Sequence, residues 1–217
     1  MKMIKYELLA DLFLYPSDEV KSKILEVKSY IKENFPNLSD CMGGFTDVIQ
    51  KISLSDWEEI YTRTFDVQAV TTLDVGYVLF GDDYKRGELL VNLNKEHKKA
   101  GNNCGTELAD HLPNVLRLLD KIEDDSLKED LTNFILIPAL NKIISEFNKD
   151  KLTAKENIYK KHHQTIIEQD NSTRLIYQKA LKVVLELMKI EFPTRLESAP
   201  AEGGFSVKIS NELEIKS

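Results

Sequence analysis

The residues of this chain that could do chemistry are few and scattered. Four histidines stand at His97, His111, His162 and His163, and two cysteines at Cys41 and Cys104. The pair Asp110-His111, inside ELADHLPNVLRLL (107–119), draws the eye first, because a carboxylate that orients an imidazole is half of a general-base arrangement. Adjacent residues at a helix start do not face each other in that way. Neither cysteine carries a local activating signature, and there is no GxSxG elbow. The glycines Gly43-Gly44, Gly76, Gly81 and Gly87 match neither GxxxxGK(S/T) nor GxGxxG, so no phosphate-binding loop is present. For a metal, Glu107 and His111 have i,i+4 spacing, but a third ligand must come from elsewhere. His162 and His163 are neighbours that would point about 100° apart on a helix. A small metal-dependent hydrolase built on Glu107, His111 and a distant carboxylate stays an alternative; the residues do not support an enzyme.

The structural reading of the same stretch is simpler. Asp110 is a good N-cap, Pro113 then falls in the first turn where its missing amide costs little, and Leu112, Val115, Leu116, Leu119 and Ile122 supply a buried face.

The elements that must position these residues are helical almost throughout. Ile4, Leu8, Leu9, Leu12 and Phe13 form a first apolar stripe ended by Pro16, and Ser17 caps a second helix whose buried face is Ile24, Val27 and Ile31. A short third helix carries Phe45, Val48, Ile49 and Ile52. Capping boxes at Ser55 with Glu58, Ser126 with Glu129 and Thr153 with Glu156 predict three more starts. Helix 55–66 places Trp57, Ile60, Tyr61, Thr64 and Phe65 on one side, and helix 126–148 contains Pro138, which should kink or divide it. Helix 153–168 follows, and a last long one runs from about Ser172 to Phe192. FSVKI (205–209) has the pattern of a short strand, and the stretch from Pro193 reads as a mobile tail. The expectation is all-α: one domain over 1–192 of about nine or ten helices, then a flexible tail over 193–217.

Composition narrows the function classes. Residues 1–130 carry a formal charge of −9 and residues 131–217 one of +2, so an acidic body with no basic stripe makes nucleic acid a poor partner and a basic or apolar peptide a better one. No stretch reaches the roughly 18–20 apolar residues of a membrane span, and the amino terminus lacks a secretory signal pattern. Two distant cysteines without CxxC spacing fit a reducing compartment, which predicts the cytoplasm.

The segment 61–93, YTRTFDVQAVTTLDVGYVLFGDDYKRGELLVNL, sets Phe65, Tyr77, Phe80 and Tyr84 among glycines at 76, 81 and 87. It reads either as core with loop punctuation or as an apolar groove whose glycines admit a partner backbone. With LADLFLYPSDE (9–19), YTRTFD (61–66), FGDDYKRGELLVNL (80–93) and ELADHLP (107–113) in that order, the chain resembles the TorD/DmsD/NarJ-type redox enzyme maturation chaperones, most closely the nitrate reductase delta-subunit branch. The match spans Leu9 to about Leu119. Phe80 stands where that branch often has histidine, and Ala109 where it usually has proline.

The resemblance implies an all-helical cytoplasmic chaperone without catalytic activity or a cofactor of its own, a monomer or weak dimer. Its partner would be the catalytic subunit of a molybdenum enzyme, often held by the amino-terminal leader until the molybdopterin cofactor is inserted. Carried over position by position, the client-binding residues are Tyr61, Phe65, Asp66, Gly81, Asp82, Arg86, Gly87, Asp110, His111 and Pro113. A general helical adaptor for unrelated proteins remains the other non-enzymatic reading.

Overall fold

The computed structural model describes residues 4–67, 69–148 and 175–193. Its architecture is the all-α bundle that the periodicity predicts. Among the described residues there is no strand, and no helix is long and apolar enough to cross a membrane. The expected helix 153–168, the start of the last helix at Ser172, the strand at 205–209 and the tail beyond Pro193 lie outside the described residues.

Helix α1 (Tyr6–Ala10) runs into a 3-10 turn over Asp11–Phe13. Its free amides find their acceptor far along the chain: the Asp120 carboxylate takes the N–H of Tyr6 at 3.1 Å and of Glu7 at 2.6 Å. Helix α2 (Asp18–Asn34) starts as the sequence predicts, with Val20 N–H donating to Ser17 Oγ, and buries Ile24, Val27 and Ile31. Helix α3 (Ser39–Lys51) buries Met42, Phe45 and Ile49 between α2 and the last described helix.

Helix α4 (Leu54–Phe65) buries Trp57, Ile60, Tyr61, Thr64 and Phe65, the face the spacing predicts. Its start differs. The cap is Ser53 rather than Ser55: Ser53 Oγ accepts from Asp56 N–H at 3.1 Å and donates to the Asp56 carboxylate at 2.6 Å. The same Ser-x-x-acid pattern occurs at both serines, and the earlier one gives the longer helix. Likewise the cap expected at Ser126 lies two residues earlier, because Asp124 accepts from Ser126 and Leu127 N–H and caps α8 (Asp125–Asp130).

Pro138 divides that long helix by an unexpected device. In an α register its ring would press on the carbonyl four residues back. The chain instead takes a wider π turn over Leu131–Leu136 and resumes as α9 (Ile137–Ser145), with the proline in the first turn.

Four further helices stand among the described residues: α5 (Val75–Phe80), α6 (Tyr84–Lys99), α7 (Leu112–Lys121) and α10 (Ile176–Glu191). Helix α10 is the central rod, buried on most of its circumference from Ile176 to Met188 and packed on α3 and α9. Helix α7 packs on α1, and it buries Leu112, Val115, Leu116 and Leu119 as the apolar spacing predicts.

Candidate functional site

Two chain segments that are remote in sequence pair beside α6. Val75 N–H donates to Asp110 O at 3.0 Å and Leu112 N–H donates to Leu73 O at 2.8 Å, making an isolated antiparallel bridge between Asp74 and His111. The bridge brings three charged or titratable side chains to one place, and α6 delivers a fourth. Arg86 Nε donates to Asp110 Oδ2 at 2.9 Å, while its Nη2 donates to Asp110 Oδ1 at 3.4 Å and to Asp74 Oδ2 at 2.9 Å. The other Asp74 oxygen lies 3.1 Å from His111 Nδ1. Asp110, Arg86, Asp74 and His111 therefore form one chain of contacts. The hydrogen bond from His111, with the Arg86 charge adding to it, holds the Asp74 carboxyl below its ordinary range.

This corrects the reading of Asp110 as an N-cap. Its side chain is fully buried and its oxygens are spent on Arg86, while His111 takes the N-cap position of α7 without a side-chain cap bond. Pro113 does sit in the first turn. Asp110 does not orient His111; Asp74 does. That leaves Nε2 of His111 without a hydrogen-bond partner among the described residues, and no serine, threonine or cysteine is bonded to it there. The i,i+4 relation of Glu107 to His111 also lapses, because 105–110 is turn and loop rather than helix. Among the described residues, no group of three or more His, Cys, Asp or Glu could hold a metal ion.

Gly76 is fixed by this network. A Cβ there would stand 2.6 Å from Asp110 Oδ2 and 2.9 Å from Leu89 Cδ2, so the helix approaches the carboxylate closely only because the side chain is missing. Gly81 ends α5 at φ +63, the left-handed region that glycine adopts without strain.

The loop that carries Asp110 is anchored from below. His97 Nε2 donates to Ala109 O at 3.0 Å, so its Nδ1 is the acceptor for Asn102 Nδ2 at 2.9 Å, and the ring is held neutral. Burial pushes the His97 pKa down accordingly. Asn114 adds two bonds, to Cys104 O and Leu108 O.

In front of the network opens a cleft of about 810 Å³ between the end of α4, α5 and α9. Phe65, Val70, Tyr77 and Val78 give it an apolar floor; Asp66, Asp74, Arg86, Lys142 and Glu146 line it with charge. Tyr77 is 43% exposed, and its ring lies 5.2 Å from the Arg86 guanidinium carbon. Asp66 has no ion-pair partner among the described residues, and burial, reinforced by Glu107, raises its carboxyl pKa against the lowering pull of His111.

Behind Phe65 sits an aromatic cluster. Tyr61 stacks edge-on with Phe65, Tyr15 and Tyr177 at centroid distances of 5.2, 5.4 and 5.9 Å, and its hydroxyl donates to Phe13 O.

Of the residues expected to meet a client, then, Phe65, Asp66 and Arg86 line the cleft. Asp110 stands behind Arg86, His111 behind Asp74, and Tyr61 behind Phe65. Pro113 is buried at the head of α7. Gly81, Asp82 and Gly87 do not line it. The sequence reading missed Asp74, and it noted Tyr77 only as one aromatic among several. Asp74 did carry a signal: TTLD directly before the apolar VGYVLF is a helix-start pattern. Compared with known proteins, the chain matches no family model and no curated protein sequence.

Proposed function

We propose that this protein is an assembly chaperone working in the cytoplasm. It holds the catalytic subunit of a nitrate-reductase-like molybdenum enzyme, through that subunit's amino-terminal leader, while the molybdopterin cofactor is inserted. One observation supports the reading most. The four sequence elements that carry the resemblance are contiguous in space and end at one open cleft. LFLYP meets YTRTFD through Tyr15, Phe13 and Tyr61; YTRTFD gives Phe65 and Asp66 to the cleft; the segment around Arg86 gives the guanidinium; and ADH locks that guanidinium from behind.

The cleft suits an extended peptide of mixed apolar and basic character. Micromolar binding needs about −8 kcal/mol. Each large apolar side chain buried against the floor contributes roughly 1.5–3 kcal/mol, and ordering a flexible leader costs about 2–5 kcal/mol, so five or six anchored side chains suffice. Asp66 on the wall favours a cation.

The test is a pull-down from the native cell followed by peptide titration. A molybdoenzyme subunit is the expected catch, and its leader peptide should lose at least tenfold in affinity with Tyr77→Ser or Asp66→Asn while the melting temperature holds. Recovery of other partners with no molybdoenzyme subunit overturns the proposal.

A further inference from the structure

The charges that line the cleft differ in what answers them. Arg86 donates to Asp110 and Asp74, and Asp74 also holds His111. Asp66 has no ion-pair partner among the described residues, and the other cation of the cleft, Lys142, is in the same state. Lys142 stands on α9, and its ammonium makes one hydrogen bond among the described residues, to Leu79 O at 3.4 Å. That carbonyl belongs to the last turn of α5, where backbone oxygens lack helical partners. It places the ammonium at the cleft without neutralising it. An ammonium has three donors, so two are left. Glu146 follows four residues on, a spacing at which helical charges can pair, yet no ion pair joins the two.

From this contrast we infer that Lys142 receives an acidic side chain of the bound peptide, so that the cleft takes a segment carrying a carboxylate as well as a basic and a large apolar residue. The inference rests on the reading of the cleft as a peptide site and goes beyond it, because the apolar floor and Asp66 alone would accept any basic, apolar segment. Asp66 belongs to the end of α4 and Lys142 to α9, while Tyr77 and Val78 of α5 line the cleft with them. An extended chain sends successive side chains to opposite faces. A basic and an acidic residue at odd spacing therefore point apart and meet two different elements, with apolar residues between them for α5. Lys142 also acts by exclusion. A chain with a net charge of −7 attracts segments that are basic throughout, and a lysine in the cleft repels their second cation.

Fluorescence anisotropy of the full chain with labelled peptides, at low salt where the pair is least screened, tests it. One peptide carries Arg-Leu-Phe-Asp between glycine-serine flanks; in two others asparagine or lysine replaces the aspartate. The wild type should bind the aspartate peptide about threefold to tenfold more tightly than the asparagine one, and the lysine peptide more weakly still. K142M should bind the aspartate and asparagine peptides alike, and K142E should prefer the lysine peptide to the aspartate one. Lys142 is exposed, so the melting temperature should hold in both variants. A wild type that does not distinguish aspartate from asparagine overturns the inference, as does a preference that persists in K142M. If Tyr77→Ser weakens all these peptides alike in such a case, the cleft remains the peptide site and only the role of Lys142 falls. If none of the peptides binds, the inference is overturned, and the pull-down decides the proposed function separately.

Discussion

The Asp110–Arg86 pair makes an asymmetric prediction about stability. Asp110 is completely buried, and among the described residues its two oxygens have no cation but Arg86. Arg86 is 16% exposed and holds a second carboxylate, Asp74, at 2.9 Å. Arg86→Ala therefore strands a buried charge, a change that costs about 3–5 kcal/mol. Asp110→Ala leaves the guanidinium with Asp74, the Tyr77 ring and some water, and should cost only about 1–3 kcal/mol. Urea denaturation can be followed by the emission of Trp57, the only tryptophan and fully buried. With a slope of about 2 kcal/mol per molar, the midpoint falls by about 1.5–2.5 M for Arg86→Ala and about 0.5–1.5 M for Asp110→Ala. An Asp110→Ala variant that proves the less stable of the two would falsify this account. So would a shift below about 0.3 M in both, since the pair would then not be what ties α6 to the 110–111 segment. If the prediction holds, lost client binding in an Asp110 variant reports on the fold, and recognition must be probed at Tyr77 and Asp66 instead.

Three other expectations follow from single sites. Gly76→Ala pushes a methyl towards a carboxylate that Arg86 pins in place, and should cost about 1–3 kcal/mol, read as a lower melting temperature. Tyr177→Phe removes the acceptor 2.8 Å from the Trp57 indole N–H. It should cost about 1–3 kcal/mol and shift Trp57 emission to the blue; unchanged stability would show that the bond contributes nothing. His97 is held neutral, with its pKa lowered from 6.5 by burial, so the unfolded chain takes up a proton before the folded one does. Its contribution to stability is complete above about pH 6.5 and is lost as pH falls through the folded value. Chemical denaturation between pH 7.5 and 5.5 should show this slope in the wild type and a shallower one in His97→Gln.

What the sequence made legible was whatever depends on residues close in the chain. The buried face of α4, the Ser17 cap and the apolar side of α7 follow from spacing alone, because a helix converts i,i+3 and i,i+4 relations directly into a face. The failures have the opposite character. Ser53 and Ser55 each stand three residues before an acid, so local chemistry cannot choose between them. Asp110 looked like a cap because caps are local, whereas its actual partner is 24 residues away on α6. Asp74 could not be tied to His111, 37 residues on, until the bridge between their segments was seen. The site is a product of long-range pairing, and only its apolar half announces itself locally.

That pairing also decides what charge the cleft offers. Arg86 is the cation nearest to Tyr77, and unpaired it would repel a basic peptide. Two carboxylates occupy its donors from the protein side, so its charge is answered before a ligand arrives. Asp66 is in the contrary state: it lines the cleft, has no ion-pair partner among the described residues, and burial makes its ionised form costly. A cation placed beside it relieves that cost and returns its pKa towards the ordinary value. The network thus spends the protein's own arginine internally and leaves an aspartate with no ion-pair partner among the described residues, helped only by the electrostatic pull of His111. A peptide with a basic residue next to apolar ones meets both conditions, a floor of Phe65, Val70 and Tyr77 for its apolar side chains and an unanswered carboxylate for its charge.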